Sequence, residues 1–327
     1  MSLFKSWKFW VGLIVVLLWT RMPWFIHNNY QLQVLFRITL FAALGLSWNL
    51  VGGYAGQLSL GHVAFFGVGA YGLAIFTELG VPVWIAAFLA AIVSTAVAAL
   101  IGAISFRLRG PYFALATIAF AEVLRLAATN LNVTGGAIGL TMPGLFIGRT
   151  FWRSFYLAAV ALAVISFLTN FWASRSRFGY YLMAIREDED TAAAVGINTA
   201  RCKLYALLIS AFLTALAGAL YGSAFQFIVP DSILTIDISI QIAIITMLGG
   251  AGTLLGPIVG AVLLLTASEA FKNVFQESHL LIYGILIVVV VLFMPEGIVG
   301  GLQHRFRKRI KPPKDVKPQP VLDGAAQ

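Results

Sequence analysis

The chain has 327 residues, of which 60% are hydrophobic and only 11% charged, and its mean hydropathy is +0.90. A soluble domain carries about a quarter charged residues, so this composition excludes an ordinary soluble enzyme and points to the bilayer as solvent. The net charge of +9 would suit a nucleic-acid binder, but the basic residues sit where membrane topology needs them, and the single cysteine, Cys202, excludes an internal disulfide or a cysteine-based metal site.

In hydrocarbon every backbone amide must be satisfied internally, which leaves helical bundles or closed barrels. Barrel strands alternate apolar and polar residues. Here the runs are continuously apolar, as at 157–168 (LAAVALAVISFL) and 280–293 (LLIYGILIVVVVLF). The fold class is therefore an all-α integral membrane protein, a polytopic bundle. A span needs about 20 apolar residues, and ten stretches qualify.

The first, 8–26, follows two lysines and imitates a signal peptide. Arg21, Met22 and Pro23 stand where a small-residue cleavage site would be, so it is expected to remain as a helix. The second and third, 32–51 and 60–79, flank the cluster GGYAGQLSLG. There Gly52, Gly53, Gly56 and Gly61 interleave with Gln57 and Ser59. Non-helical backbone at membrane depth is tolerated only where it is buried in protein or lines a cavity, so 52–61 reads as a broken or re-entrant segment beside a pathway or gate. Gly67 and Gly69 read as helix packing. His62 reads as a histidine bonded to a neighbouring helix in preference to a proton carrier.

The fourth and fifth spans are 82–106 and 111–131. The fifth contains Glu122, the costliest residue to place in a bilayer, with Arg125 on the same face to pair with it. The sixth, 153–173, leads into the long loop 174–203. The seventh is 203–226, and the eighth, 236–250, runs into LGGAGTLLGP. Gly249, Gly250 and Gly252 there suggest a second broken element. The ninth and tenth are 254–272, where Glu269 and Lys272 repeat the i, i+3 charge spacing, and 279–295. Residues 304–327 are basic and Pro-rich and read as a disordered cytoplasmic tail beside anionic lipid, behind a membrane domain of 1–303.

With the N-terminus inside, one face collects Lys5, Lys8, Arg107, Arg109, Arg175, Arg177, Arg186, Arg201, Lys203 and the basic residues from Arg305 to Lys317. That is the positive-inside pattern, with both termini cytoplasmic. Loop 174–203 falls on the same face and contains AIREDEDTAAAVGIN, where four of the 13 acidic residues, Glu187, Asp188, Glu189 and Asp190, stand in a row. Acids at a helix start, an alanine run and Gly196 as a stop describe a helix of about two turns. It is too short to stand alone and too acidic for anionic headgroups. It therefore fits a partner protein with basic residues around an apolar groove.

FGYYLMAIREDEDTAAAVGIN (178–198) resembles the cytoplasmic loop of the permease subunits of bacterial branched-chain amino-acid ABC transporters. That loop is the divergent counterpart of the glutamate-alanine-alanine…glycine motif by which importer permeases engage their ATPase. The matching residues are Asp190, Ala192, Ala193, Ala194 and Gly196, with Asp190-Thr191 in place of Glu-Ala. GGYAGQLSLGHVAFFGVGAYG (52–72), RGPYFALATIAFAEVLR (109–125), TGGAIGL (134–140), LGGAGTLLGPIVGA (248–261) and MPEGIVG (294–300) also resemble the family, in its order.

The resemblance implies a non-catalytic permease of the larger type for leucine, isoleucine and valine. Residues 186–190, 192–194 and 196 would form its coupling helix. Its partners would be a second homologous permease, two ATPase subunits that bind the ATP and Mg, an external substrate-binding protein and membrane lipid, with no nucleic acid. Urea and short-amide permeases are close relatives. The chain has no phosphate-loop motif of its own, no catalytic constellation, and no metal-spaced set among its four histidines. Asp231, Asp237, Arg149 and Arg153 fall in outside loops suited to docking a binding protein. From the residues alone, an ion-coupled secondary transporter using Glu122 or His62 stays open as an alternative.

Overall fold

The computed structural model describes residues 19–26, 28–108, 110–142, 144–146 and 151–275, together with 284, 297–299 and 301. Most of the expected first span, the tenth span and the tail 304–327 lie outside the described residues.

The molecule is built from helices: α1 (Asn29–Trp48), α2 (His62–Glu78), α3 (Val83–Ser105), α4 (Pro111–Asn130), α5 (Phe151–Arg175), α6 (Arg177–Glu187), α7 (Glu189–Ala194), α8 (Thr199–Phe225), α9 (Pro230–Ile233), α10 (Ile236–Gly249) and α11 (Gly256–Phe275). The second to ninth expected spans each meet one of these helices. Among the described residues, 6 stretches are long and apolar enough to cross a membrane: Asn29–Tyr54, Val83–Ser105, Pro111–Asn130, Phe151–Arg175, Thr199–Phe225 and Pro230–Gly249. Helix α2 is shorter, 17 residues, because the glycine cluster before it takes what would be its first turns.

Helices α1, α2 and α8 form the centre. Gly69 of α2 lies against the backbone of Ala215, and Gly218 of α8 against the Phe66 carbonyl; a Cβ at either glycine would overlap that backbone. Without a hydrophobic force between helices in lipid, such close approach is how dispersion contacts accumulate. Phe36, Trp48, Phe66, Phe155 and Tyr156 fill the surrounding core. At one end of the bundle, residues 140–141 pair antiparallel with 227–228 in a two-stranded ribbon. The opposite end carries α6, α7 and both glycine clusters.

Two sequence expectations take a different form in the structure. Glu269 does not rely on an i+3 partner on its own helix: its carboxylate accepts from Tyr30 Oη at 2.7 Å and pairs with Arg37 at 3.4 Å, tying α11 to α1. Asp231, placed by the sequence in an outside loop suited to docking a binding protein, is ion-paired with Arg125 of α4.

Candidate functional site

The first glycine cluster breaks its helix. After Trp48, α1 widens into π-type turns over Asn49–Tyr54, and residues 55–61 have no regular structure. Side chains satisfy the exposed backbone groups. Trp48 Nε1 donates to the Ser59 carbonyl at 2.7 Å, and Thr117 Oγ1 accepts from Leu60 N–H at 3.1 Å. Ser239 Oγ accepts from Val63 N–H at 2.8 Å at the start of α2, the kind of partner that buried non-helical backbone requires. His62 is fully buried, with Nδ1 3.0 Å from Ser59 Oγ and Nε2 2.8 Å from Ser210 Oγ. Both ring nitrogens are engaged, so His62 fastens the broken segment to α8, as the structural reading of the sequence expected.

The second cluster forms the turn between α10 and α11. Gly249 lies where a Cβ would overlap the Gly256 carbonyl, so the two helices reverse within a few residues. The structure brings this turn against the first break. Asn49 is fully buried and reads both sides. Its Oδ1 accepts from Gly252 N–H at 2.8 Å, and its Nδ2 donates to the Thr253 carbonyl and to Asn170 Oδ1, both at 3.1 Å. Asn170 Nδ2 in turn donates to the Leu46 carbonyl at 2.8 Å. Sequence reasoning missed this amide pair. The available signal was a lone asparagine inside each of two apolar runs, which in a span needs a partner.

Arg186, at the end of α6, closes the junction from outside. Its Nη1 donates to the Gly53 carbonyl at 2.8 Å and reaches the Ala251 carbonyl at 3.5 Å. Gly56 sits beneath it with φ +66°, and a Cβ there would stand 2.9 Å from Arg186 Cγ. A left-handed backbone costs a branched residue roughly 1–2 kcal/mol before any clash is counted. Gly56→Leu is therefore expected to displace Arg186 and reduce solute uptake strongly while membrane insertion survives; wild-type uptake by this variant would show that the position tolerates both strain and bulk.

The acidic row divides its labour. Asp188 is the N-cap of α7: its carboxylate accepts from Thr191 N–H at 2.6 Å, which holds its pKa below the ordinary 3.8. A group with a depressed folded pKa stabilises above its ordinary value and loses that contribution as pH falls through the lower folded one. Helix α7 is thus expected to stay capped at neutral pH and fray only in strong acid. At neutral pH, Asp188→Ala should speed hydrogen exchange at the Thr191 amide, and unchanged exchange would deny the cap.

Glu189 turns inward. It pairs at 2.6 Å with Lys203 of α8, whose side chain is 1% exposed and lies over the Phe106 ring at 5.4 Å. Glu187 and Asp190 remain exposed, as do Ala193, Ala194 and Gly196, while Ala192 packs inward. Val195 is 73% exposed, and Gly196 ends the helix with φ +90°, the stop that the sequence suggested. The surface offered outward is thus a small apolar ridge between carboxylates.

Glu122 stands apart from this junction, on α4 nearer the opposite end. Arg125 Nε donates to its Oε2 at 3.0 Å, so the expected i, i+3 pair forms. Among the described residues there is no group of three or more metal-ligating side chains.

These features define a polytopic helical membrane protein in which one broken helix and a tight turn between two helices, where the sequence suggested a second break, meet beneath a peripheral helix pair. The profile of the family described as branched-chain amino acid transport system / permease component matches residues 30–291. The chain belongs to that family and is a non-catalytic membrane transport subunit. It is 31% identical to the LivM permease protein of the high-affinity branched-chain amino acid transport system of Salmonella typhimurium, over 88% of this chain and 74% of that protein. It is 30% identical to LivM of Escherichia coli over the same shares. It is 25% identical to LivH of Salmonella typhimurium, over 83% of this chain and 96% of that protein.

Proposed function

We propose that this chain is one permease half of an ABC importer for branched-chain amino acids, and that its residues 174–203 face the cytoplasm and couple to an ATPase subunit. The observation that carries the reading is Arg186: one side chain of the acidic loop holds both glycine clusters through backbone carbonyls. Motion imposed on α6 and α7 therefore reaches both the break after α1 and the turn between α10 and α11. The names of the relatives favour branched-chain amino acids over urea or amides, and the concentration of basic residues at this end favours the cytoplasmic side.

In this reading the membrane domain is 1–303 and the basic stretch 304–327 follows it in the cytoplasm. A second, homologous permease completes the pathway, two ATPase subunits supply ATP and Mg, and an external binding protein delivers solute. The exposed ridge of Ala193, Ala194 and Val195 enters an apolar groove on the ATPase, and Glu187 and Asp190 meet a basic rim.

The test uses the complete complex in vesicles. ATP-dependent leucine uptake is expected, and Val195→Cys is expected to cross-link to a cysteine placed in the ATPase groove. Urea uptake without leucine uptake would move the substrate to the amide class. Labelling of Val195→Cys only from outside intact cells would overturn the orientation.

A further inference from the structure

Away from Arg186, in the half of the bundle that carries the two-stranded ribbon, Glu122, Arg125 and Asp231 form a cluster of three charges. Arg125 Nε and Nη2 donate to the two oxygens of Glu122 at 3.0 and 2.5 Å, and Nη1 donates to Asp231 Oδ1. One guanidinium thus stands between two carboxylates and ties the spanning helix α4 to the four-residue helix α9.

The depth of this cluster is informative. Glu122 is eleven residues from Pro111 and eight from Asn130, about 16 Å and 12 Å along a helix that rises 1.5 Å per residue. That is the middle of the span. Yet the Glu122 side chain is 51% exposed and that of Asp231 73% exposed, and α4 is the least buried of the six candidate spans, at 28%. Charges at this depth face a bundle interior or a water-filled cavity, not hydrocarbon. The same face of α4 presents Leu115, Ala119 and Leu126, all exposed.

The geometry points to this cluster as a station in the translocation pathway for the charged backbone of an aliphatic amino acid, which rests on the permease reading above. The solute's α-carboxylate is taken by the Arg125 fork, its α-ammonium by Glu122 and Asp231, and its side chain by Leu126. The chemistry selects a zwitterion. An inorganic cation meets the guanidinium, an anion meets two carboxylates, and a neutral amide has no charge to exchange. A zwitterion replaces each internal ion pair by an external one and leaves no desolvated charge unpaired. Because Arg125 also holds α9 to α4, the exchange frees one element from the other as the solute enters.

The experiment uses the reconstituted complex with Cys202→Ser as background. Leu126→Cys is expected to react with a membrane-impermeant, positively charged thiosulfonate reagent and to be protected several-fold by leucine; a thiol inert to that reagent, or one reacting identically with and without leucine, overturns the proposal. Glu122→Gln with Asp231→Asn is expected to cut leucine uptake by about tenfold, the loss for one charge-assisted pair, with ATP hydrolysis retained by the assembled complex. Wild-type uptake by this double variant also overturns it. Failure of the unmutated complex to take up any amino acid would instead sink the permease reading itself.

Discussion

Arg186→Gln is expected to separate ATP hydrolysis from transport. A hydrogen bond to a charged donor contributes about 1.5–3 kcal/mol, and this guanidinium donates to the Gly53 carbonyl while lying beside that of Ala251. Removing it leaves the Asn49 hydrogen bonds and backbone packing to join the break after α1 to the turn before α11, and removes the tie of both to α6. Leucine uptake should fall by at least about tenfold, while the complex assembles and hydrolyses ATP. Arg186→Lys keeps the charge but loses the fork and should recover only part of the uptake. A merely structural arginine would lower protein yield and hydrolysis together; loss of both in proportion, or full uptake by Arg186→Gln, would remove Arg186 from the coupling path.

Glu189→Gln is expected to be the most destabilising single change in the acidic row. Lys203 is almost wholly buried and its carboxylate partner is Glu189. Breaking a buried ion pair from one side costs about 3–5 kcal/mol, because the remaining charge has neither water nor a counter-ion. The thermal midpoint in detergent should drop sharply. Glu189→Leu combined with Lys203→Met should recover most of that loss, since a buried pair contributes little over an apolar replacement. If the double variant is as unstable as the single one, the pair is not what holds α7 to α8. Replacing all of 187–190 by serine would mix this loss with the loss of the Asp188 cap, so neutralising Glu187 and Asp190 alone is the cleaner probe of docking.

Much of the architecture was legible before any coordinates. Continuous apolar runs of span length and the absence of alternation fixed an all-helical bundle, and the positions of Gly and charge placed the helix ends within a few residues. The short helix after the acids, its stop at Gly196 and the break at 52–61 were equally readable, because capping, left-handed turns and helix interruption are local properties of the backbone. The pairing of Glu122 with Arg125 follows from helical spacing and needs no tertiary information.

The long-range partners were not readable. The four acids looked alike in sequence, yet one caps its own helix, one is buried against Lys203, and two face outward. Nothing within a few residues of Glu189 announces a lysine fourteen positions on, because that contact exists only once α8 packs beside α7. Likewise, the two glycine clusters are some two hundred residues apart, and their union through Asn49 and Arg186 depends on how α1, α10 and α11 cross. By itself the sequence determined that this is a helical membrane protein with an acidic stub and an interrupted span at 52–61, since solvent, hydrogen-bond satisfaction and backbone strain act residue by residue; the second glycine cluster, expected as another break, is a turn between two helices. Only the tertiary structure decided which charges are neutralised internally and which are presented outward, because burial and counter-ion are properties of what a side chain packs against.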